Sequence, residues 1–262
     1  MRVMRGLGVA VLAALSLTAA AVAGSDRATG SLELRAPLQL VSTRGGACPP
    51  GLSGTVECPS RRSTGRIAGL GNVVVTYSYL ADLGHPSCPV NSVKILGYPV
   101  RLTVAGKGDL QLALAAHPDC LSPAGGLSVT QSFTITGGTG VYAGASGSGS
   151  VSRALSQTDS GAAGRETWTG SLTVPELEFD VVRPVLSGAT SRVVRVPRTA
   201  KSARVTFKVA ARDDRDGTLA TTCSPKSGAR FKLGRTRVTC SATDASGNTA
   251  TAAFAISVRR RS

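Results

Sequence analysis

Along much of the chain, apolar and polar residues alternate with a period of two. Leu32, Leu34, Ala36, Leu38 and Leu40 are interleaved with Ser31, Glu33, Arg35, Pro37 and Gln39. Val100, Leu102 and Val104 flank Arg101 and Thr103, and Leu110, Leu112 and Leu114 lie either side of Gln111 and Ala113. Successive side chains of a strand point to opposite faces, so this pattern predicts strands with one buried and one wet face. Runs 73–80, 127–135, 149–155 and 166–174 add candidates, separated by Gly, Pro and Ser clusters. In the last third, Val205, Phe207 and Val209 alternate with Arg204, Thr206 and Lys208. Leu219, Thr221 and Cys223 share a face, as do Val238, Cys240 and Ala242, and Phe254, Ile256 and Val258 make a final strand. The expectation is an all-β chain whose first part is a β-barrel or sandwich.

The first 23 residues break the pattern. Arg2 and Arg5 precede an uncharged run of small and apolar residues that ends in Ala21-Val22-Ala23. This is the layout of a signal peptide, with removal expected after Ala23. The run is short of the roughly 20 residues that a bilayer demands. No later segment has spanning length, so the mature chain is expected to be secreted, extracellular or peripherally attached to the cell surface, without an integral span.

Export changes the reading of the six cysteines, Cys48, Cys58, Cys88, Cys120, Cys223 and Cys240. An even number in an oxidising compartment predicts disulfides. Cys223 and Cys240 both point to the core of one small domain, which favours pairing them. The two histidines recur in one phrase, His85-Pro86-Ser87-Cys88 and His117-Pro118-Asp119-Cys120. Two His and two Cys are a donor set for tetrahedral zinc. The oxidising compartment and the turn-forming prolines favour a Cys88–Cys120 disulfide instead, which leaves Cys48–Cys58 as a local staple. No metal or cofactor is expected.

The net charge of +15 is unevenly placed. Residues 24–183 carry 12 Lys/Arg against 11 Asp/Glu, whereas 184–262 carry 16 against 4. With Pro184, Gly188 and Pro197 interrupting the pattern, this divides the mature chain into domains 24–182 and 183–262. A basic surface formed by Arg230, Lys232, Arg235 and Arg237, among others, suits an anionic partner. Stacking aromatics for nucleic acid are few, so an anionic cell-wall polymer or acidic polysaccharide fits an exported protein better.

Two stretches carry resemblances. The phrase FTITGGTGVYAGASGSG over 133–149 is similar to one in exported bacterial proteins with a calycin-like or allene-oxide-cyclase-like β-barrel. From Asp213-Asp214-Arg215-Asp216-Gly217 to Val258 the chain resembles a hyalin-repeat (HYR) domain. The matched positions are Cys223, Pro225, Ser227, Gly228, Phe231, Gly234, Val238, Cys240, Ala242, Asp244, Gly247 and Asn248. That resemblance implies an immunoglobulin-like β-sandwich associated with extracellular adhesion.

Catalytic readings find little support. The glycine-rich phrase lacks the Lys and helix of a phosphate-binding loop. Gly147-Ser148-Gly149 lies in a β-connection rather than a nucleophile elbow. Glu176, Glu178 and Asp180 alternate with Leu177 and Phe179 and read as the wet face of a strand. Asp213, Asp214 and Asp216 invite a calcium reading, but the EF-hand pattern is absent and a solvated turn is expected. Asp244, Ser246 and Asn248 read as an Asx-type hairpin turn. The expected function is therefore a non-catalytic adhesion or interaction protein. The alternatives are a barrel that binds or isomerises a small apolar molecule, and anionic-polymer binding by the basic C-terminal module.

Overall fold

The structure is a computed structural model that describes residues 27–43, 47–52, 54–121, 128–158 and 161–261. The signal peptide read over 1–23 lies outside the described residues. Eight strands close a barrel: β1 (Arg27–Thr43), β2 (Ser60–Ile67), β3 (Gly71–Ser78), β4 (Tyr98–Val104), β5 (Gly108–Leu114), β6 (Ser128–Gly138), β7 (Ser146–Thr158) and β8 (Gly161–Asp180). Each pairs antiparallel with the next, and β8 returns to β1 from Arg27↔Asp180 to Thr43↔Gly161. The alternation seen in the sequence sets which residues point inward. Leu34, Ala36, Leu38 and Leu40 are buried on β1, as are Val100, Leu102 and Val104 on β4 and Leu110, Leu112 and Leu114 on β5.

Strand β2 was not expected. Its sequence, SRRSTGRI, has one large apolar residue, because it turns Arg61 and Ser63 inward alongside Ile67. The glycines of the 133–149 phrase serve the barrel wall. Gly149 on β7 faces Gly170 on β8, and the Phe133 ring lies against this bare patch. A Cβ on Gly149 would sit 2.7 Å from Phe133 Cζ and 2.2 Å from the Thr169 carbonyl. Phe133 in turn packs on Trp168, with ring centroids 5.1 Å apart.

At one end the barrel is capped by loops. Short strands over 56–57, 81–82, 93–95 and 120–121 form a small sheet there. The disulfides Cys48–Cys58 and Cys88–Cys120 staple it, and its own Val93 and Ile95 are buried, as are Tyr79 and Leu80.

The C-terminal strands are β9 (Val185–Ser187), β10 (Arg192–Val196), β11 (Ser202–Arg204), β12 (Ala210–Asp213), β13 (Gly217–Leu219), β14 (Thr222–Ser224), β15 (Arg230–Lys232), β16 (Gly234–Thr243) and β17 (Thr249–Arg260). They form sheets β9-β12-β13, β10-β17-β16-β14 and β11-β15 around a second core of Val196, Val205, Phe231, Val238, Phe254, Ile256 and Val258. The first strand of the four-stranded sheet, β10, runs parallel to the last, with Arg192↔Ile256 in register. Cys223 and Cys240 face each other across β14 and β16 and are bonded. Cys240 is fully buried, while Cys223 is half-buried at the edge of the core. The strand expected over 204–209 is only partly present. Val205 and Val209 are buried as predicted, but 205–209 joins no ladder. Its backbone is satisfied locally instead: Val205 N donates to the Ala229 carbonyl, Phe207 N donates to Ser227 Oγ, and that hydroxyl donates to the Phe207 carbonyl.

The C-terminal sandwich abuts the barrel at the uncapped end. Gly71 (φ 101°) and Gly247 (φ 88°) let the β2–β3 turn and the β16–β17 hairpin touch. A Cβ on Gly71 would stand 2.5 Å from the Ala245 carbonyl, and one on Gly247 would stand 2.7 Å from the Ile67 carbonyl.

Overpacking a filled interior costs about 1–3 kcal/mol. Gly149→Val is therefore expected to lower the barrel's stability by at least that much, because both the facing strand and Phe133 stand in the way. Urea denaturation checks this, and an unchanged midpoint would contradict the close packing described.

Candidate functional site: the polar half of the barrel

The barrel interior is divided along its axis. Toward the sandwich it is apolar, lined by Val73, Leu102, Leu110, Ile135 and Leu172. Toward the cap, polar side chains occupy inward positions of six strands: Arg61 and Ser63 on β2, Tyr77 on β3, Tyr98 on β4, Gln131 on β6, and Arg153 opposite Glu166 on β7 and β8. All are buried, so each must find partners or carry a desolvation cost.

Most do. Arg153 Nε donates to Glu166 Oε2 (3.3 Å) and to Tyr77 Oη (3.0 Å), and Nη1 donates to Gln131 Oε1 (2.9 Å). Tyr77 Oη donates to Glu166 Oε2 (3.0 Å), and Trp168 Nε1 donates to Glu166 Oε1 (2.9 Å). Tyr98 Oη donates to Gln131 Oε1 (3.0 Å), and Gln131 Nε2 donates to the Ala115 carbonyl (2.7 Å). The Tyr77 and Tyr98 rings stack at 5.4 Å, and Tyr79 meets Tyr98 edge-on.

Burial sets the ionisation of this group. It pushes Tyr79 up to about 12 and drives Tyr77 and Tyr98 well above the ordinary tyrosine range. All three are hydroxyls rather than phenolates at neutral pH. Burial disfavours the Arg153 charge, but the tyrosine oxygens and the Glu166 carboxylate outweigh it and raise the guanidinium above its usual value.

The network holds one cation too many. Arg153 is matched by Glu166, whereas Arg61 has no carboxylate partner among the described residues and lies over the Tyr79 ring at 3.9 Å. Arg61 Nε and Nη1, Arg153 Nη2, Ser63 Oγ and Tyr79 Oη are buried without hydrogen-bond partners. Of these residues, only Arg61 borders a cleft of about 730 Å³, which Val41, Ser60, Arg62, Thr76, Tyr77 and Ser78 also line. Unused donors and a surplus positive charge next to an opening fit the acidic head of a ligand with an apolar body.

These residues were not singled out from the sequence, although a signal existed. Gln131 falls in phase with Val129, Phe133 and Ile135, Arg153 with Val151, and Glu166 with Trp168. A polar residue in the buried phase of an alternating run marks an internal network.

The residues that were singled out lie elsewhere. His85 and His117 sit in the expected turns, where their Nδ1 atoms accept from Ser87 N and Asp119 N, and the neighbouring sulfurs are joined to each other. Arg230, Lys232, Arg235 and Arg237 are all exposed, and the last two line a groove of about 430 Å³ with Ser191 and Phe254. Glu176 and Glu178 are exposed as read, but Asp180 is buried. The alternation holds from Glu176 to Phe179, and Asp180, last in the strand, is buried in the outward phase because the β16–β17 hairpin covers it there, with Asn248 Nδ2 donating to its carbonyl (2.8 Å). Asp214 and Asp216 are exposed, whereas Asp213 is buried. Asp244 caps its hairpin as an Asx turn, accepting from Asn248 N (2.7 Å) and Nδ2 (2.8 Å).

Residues 179–258 match the family model of the HYR domain, so the C-terminal sandwich is a HYR domain. Such domains are associated with extracellular adhesion-like modules, and three disulfides fit that setting. No curated protein and no solved structure matches the chain. Among the described residues, no helix is long and apolar enough to cross a membrane.

Removing one partner of a buried ion pair typically costs about 3–5 kcal/mol. Glu166→Gln is expected to destabilise the barrel on that scale by leaving Arg153 uncompensated, and Arg153→Met combined with Glu166→Gln should recover more than half of the loss. A double-mutant cycle in urea measures the coupling, and additive effects would mean that the pair does not act as one unit.

Proposed function

We propose that this is an exported, non-catalytic interaction protein in which the HYR domain is the binding unit and the barrel its disulfide-stapled base. The HYR match over 179–258 carries this reading. The physical property most able to recruit a partner is charge, with 16 Lys/Arg against 4 Asp/Glu beyond residue 183. Arg230, Lys232, Arg235 and Arg237 belong to that surplus and are exposed on β15 and β16, whose core positions are filled by Phe231, Val238 and Cys240. Replacing all four with Ser leaves the core untouched. Retention on heparin-agarose, a probe for acidic polysaccharide, should fall steeply with these substitutions and with salt above about 0.15 M, where the Debye length drops below about 8 Å. Retention that ignores both would remove charge as the basis of binding.

A second reading belongs to the barrel. The unpartnered guanidinium nitrogens of Arg61 beside a cleft favour an acyl-chain carboxylate or a similar amphipathic acid as ligand. Oleate binding followed by calorimetry tests it. Arg61→Gln should weaken binding at least about tenfold, since a charge-assisted hydrogen bond contributes about 1.5–3 kcal/mol. Absence of oleate binding to the wild type would leave the barrel as scaffold.

A further inference from the structure

Three aspartates from distant parts of the chain meet where the two domains touch. Asp180 ends β8 of the barrel, Asp213 ends β12, and Asp244 follows β16. One carboxylate oxygen of each lies within 4.8 Å of one from each of the others. The three residues are only 4 %, 3 % and 3 % exposed. Among the described residues, no Lys or Arg is paired with any of them: Arg215 is engaged by Glu178 at 3.0 Å, and Lys107 Nζ by the Leu70 carbonyl.

The hydrogen bonds present do not neutralise the cluster. Asp180 Oδ1 accepts from Val182 N (3.1 Å), Asp213 Oδ1 from Arg215 N (3.0 Å) and Asp216 N (3.1 Å), and Asp244 from Asn248 alone. All these donors are uncharged amides. Asp180 Oδ2 and Asp213 Oδ2 are buried and have no donor at all. Buried acceptors of this kind are rare and call for an explanation. Three like charges gathered out of water, two with an unused oxygen, are the arrangement that a hard cation resolves.

We propose that Asp180, Asp213 and Asp244 bind a calcium ion that fastens the barrel to the HYR domain. The donors are all oxygen, as calcium requires. At about 2.3–2.6 Å from the ion, oxygens on opposite sides of calcium stand about 4.6–5.2 Å apart, so carboxylate oxygens that all lie within 4.8 Å of one another can reach a single ion. The turn around the site is already fixed: Asn248 Nδ2 bridges the Asp180 carbonyl and Asp244 Oδ2, and Asp216 Oδ2 accepts from Ala245 N. The carboxylates therefore come from both domains, and the ion couples their stabilities.

The test uses the full chain, stripped with EDTA and titrated with CaCl2 by calorimetry, alongside thermal melts. The expected result is one calcium per chain and a rise in melting temperature of about 5–10 °C at 100-fold excess over Kd. Asp213→Asn and Asp180→Asn should each abolish calcium binding. In EDTA, both variants should melt no lower than the wild type, since one of three repelling charges is gone. Asp214→Asn, exposed in the same turn, should bind calcium as the wild type does. Calcium should also slow proteolysis between residues 183 and 190. The proposal is overturned if wild-type melts coincide in EDTA and calcium with no heat of binding, if the Asn variants bind undiminished, or if magnesium stabilises more strongly than calcium.

Discussion

The barrel depends on one long-range pairing, that of β1 with β8. Strand β1 is the second neighbour that both ends of the meander need: it pairs with β2 from Gln39↔Thr64 to Thr43↔Ser60 and with β8 along nearly its whole length. Without that closure, β1 and β8 would each present an unpaired edge, and the interior would open to water. Every inward-facing feature follows from the closed form. The apolar half can exclude water only inside a sealed wall, and the Arg153–Glu166 pair is held by β7 and β8 while its tyrosine and glutamine partners arrive from β3, β4 and β6. Because partners on β1 and β8 lie 118 to 153 residues apart along the chain, from Thr43↔Gly161 to Arg27↔Asp180, the element that completes the fold is also its least local one.

The sequence was most informative where strands obey a strict period of two around an apolar interior. Strands β1, β4 and β5 and the strands of the HYR core have this form, and the HYR phrase brought its disulfide with it. It was least informative where the interior is polar. Strand β2 escaped notice because Arg61 and Ser63 take the inward places that hydrophobic pattern reading assigns to Leu or Val. The buried network escaped for the same reason, since Gln131, Arg153 and Glu166 looked like ordinary polar members of half-wet strands. Asp180 was misread for a different cause. Its outward phase is right, with Glu178 exposed and Phe179 buried beside it, but the end of β8 is covered by a hairpin 68 residues further on, and no local pattern announces such a contact.

The two domains differ in how they handle charge. The HYR domain places its surplus of Arg and Lys outward, on strands whose apolar residues are already committed to the core. The barrel buries a smaller surplus at its capped end, where Tyr79 offers its ring face to Arg61 in place of a counter-ion. The seam between them concentrates the opposite sign in Asp180, Asp213 and Asp244. Anything that compensates this charge, whether cation or proton, acts on both domains at once, because each contributes part of the cluster.

The disulfides also bear on the order in which the chain can be made. Six cysteines admit many pairings, yet each of the three bonds found joins a cysteine to the next one along the chain: 48 to 58, 88 to 120, 223 to 240. No bond must wait for a cysteine beyond its immediate successor. A chain oxidised from its N-terminus as it emerges into an oxidising space would reach this connectivity by pairing each new thiol with the one just before it. It would need no later reshuffling, and both cap staples would be in place before β8, the strand that closes the barrel, had appeared.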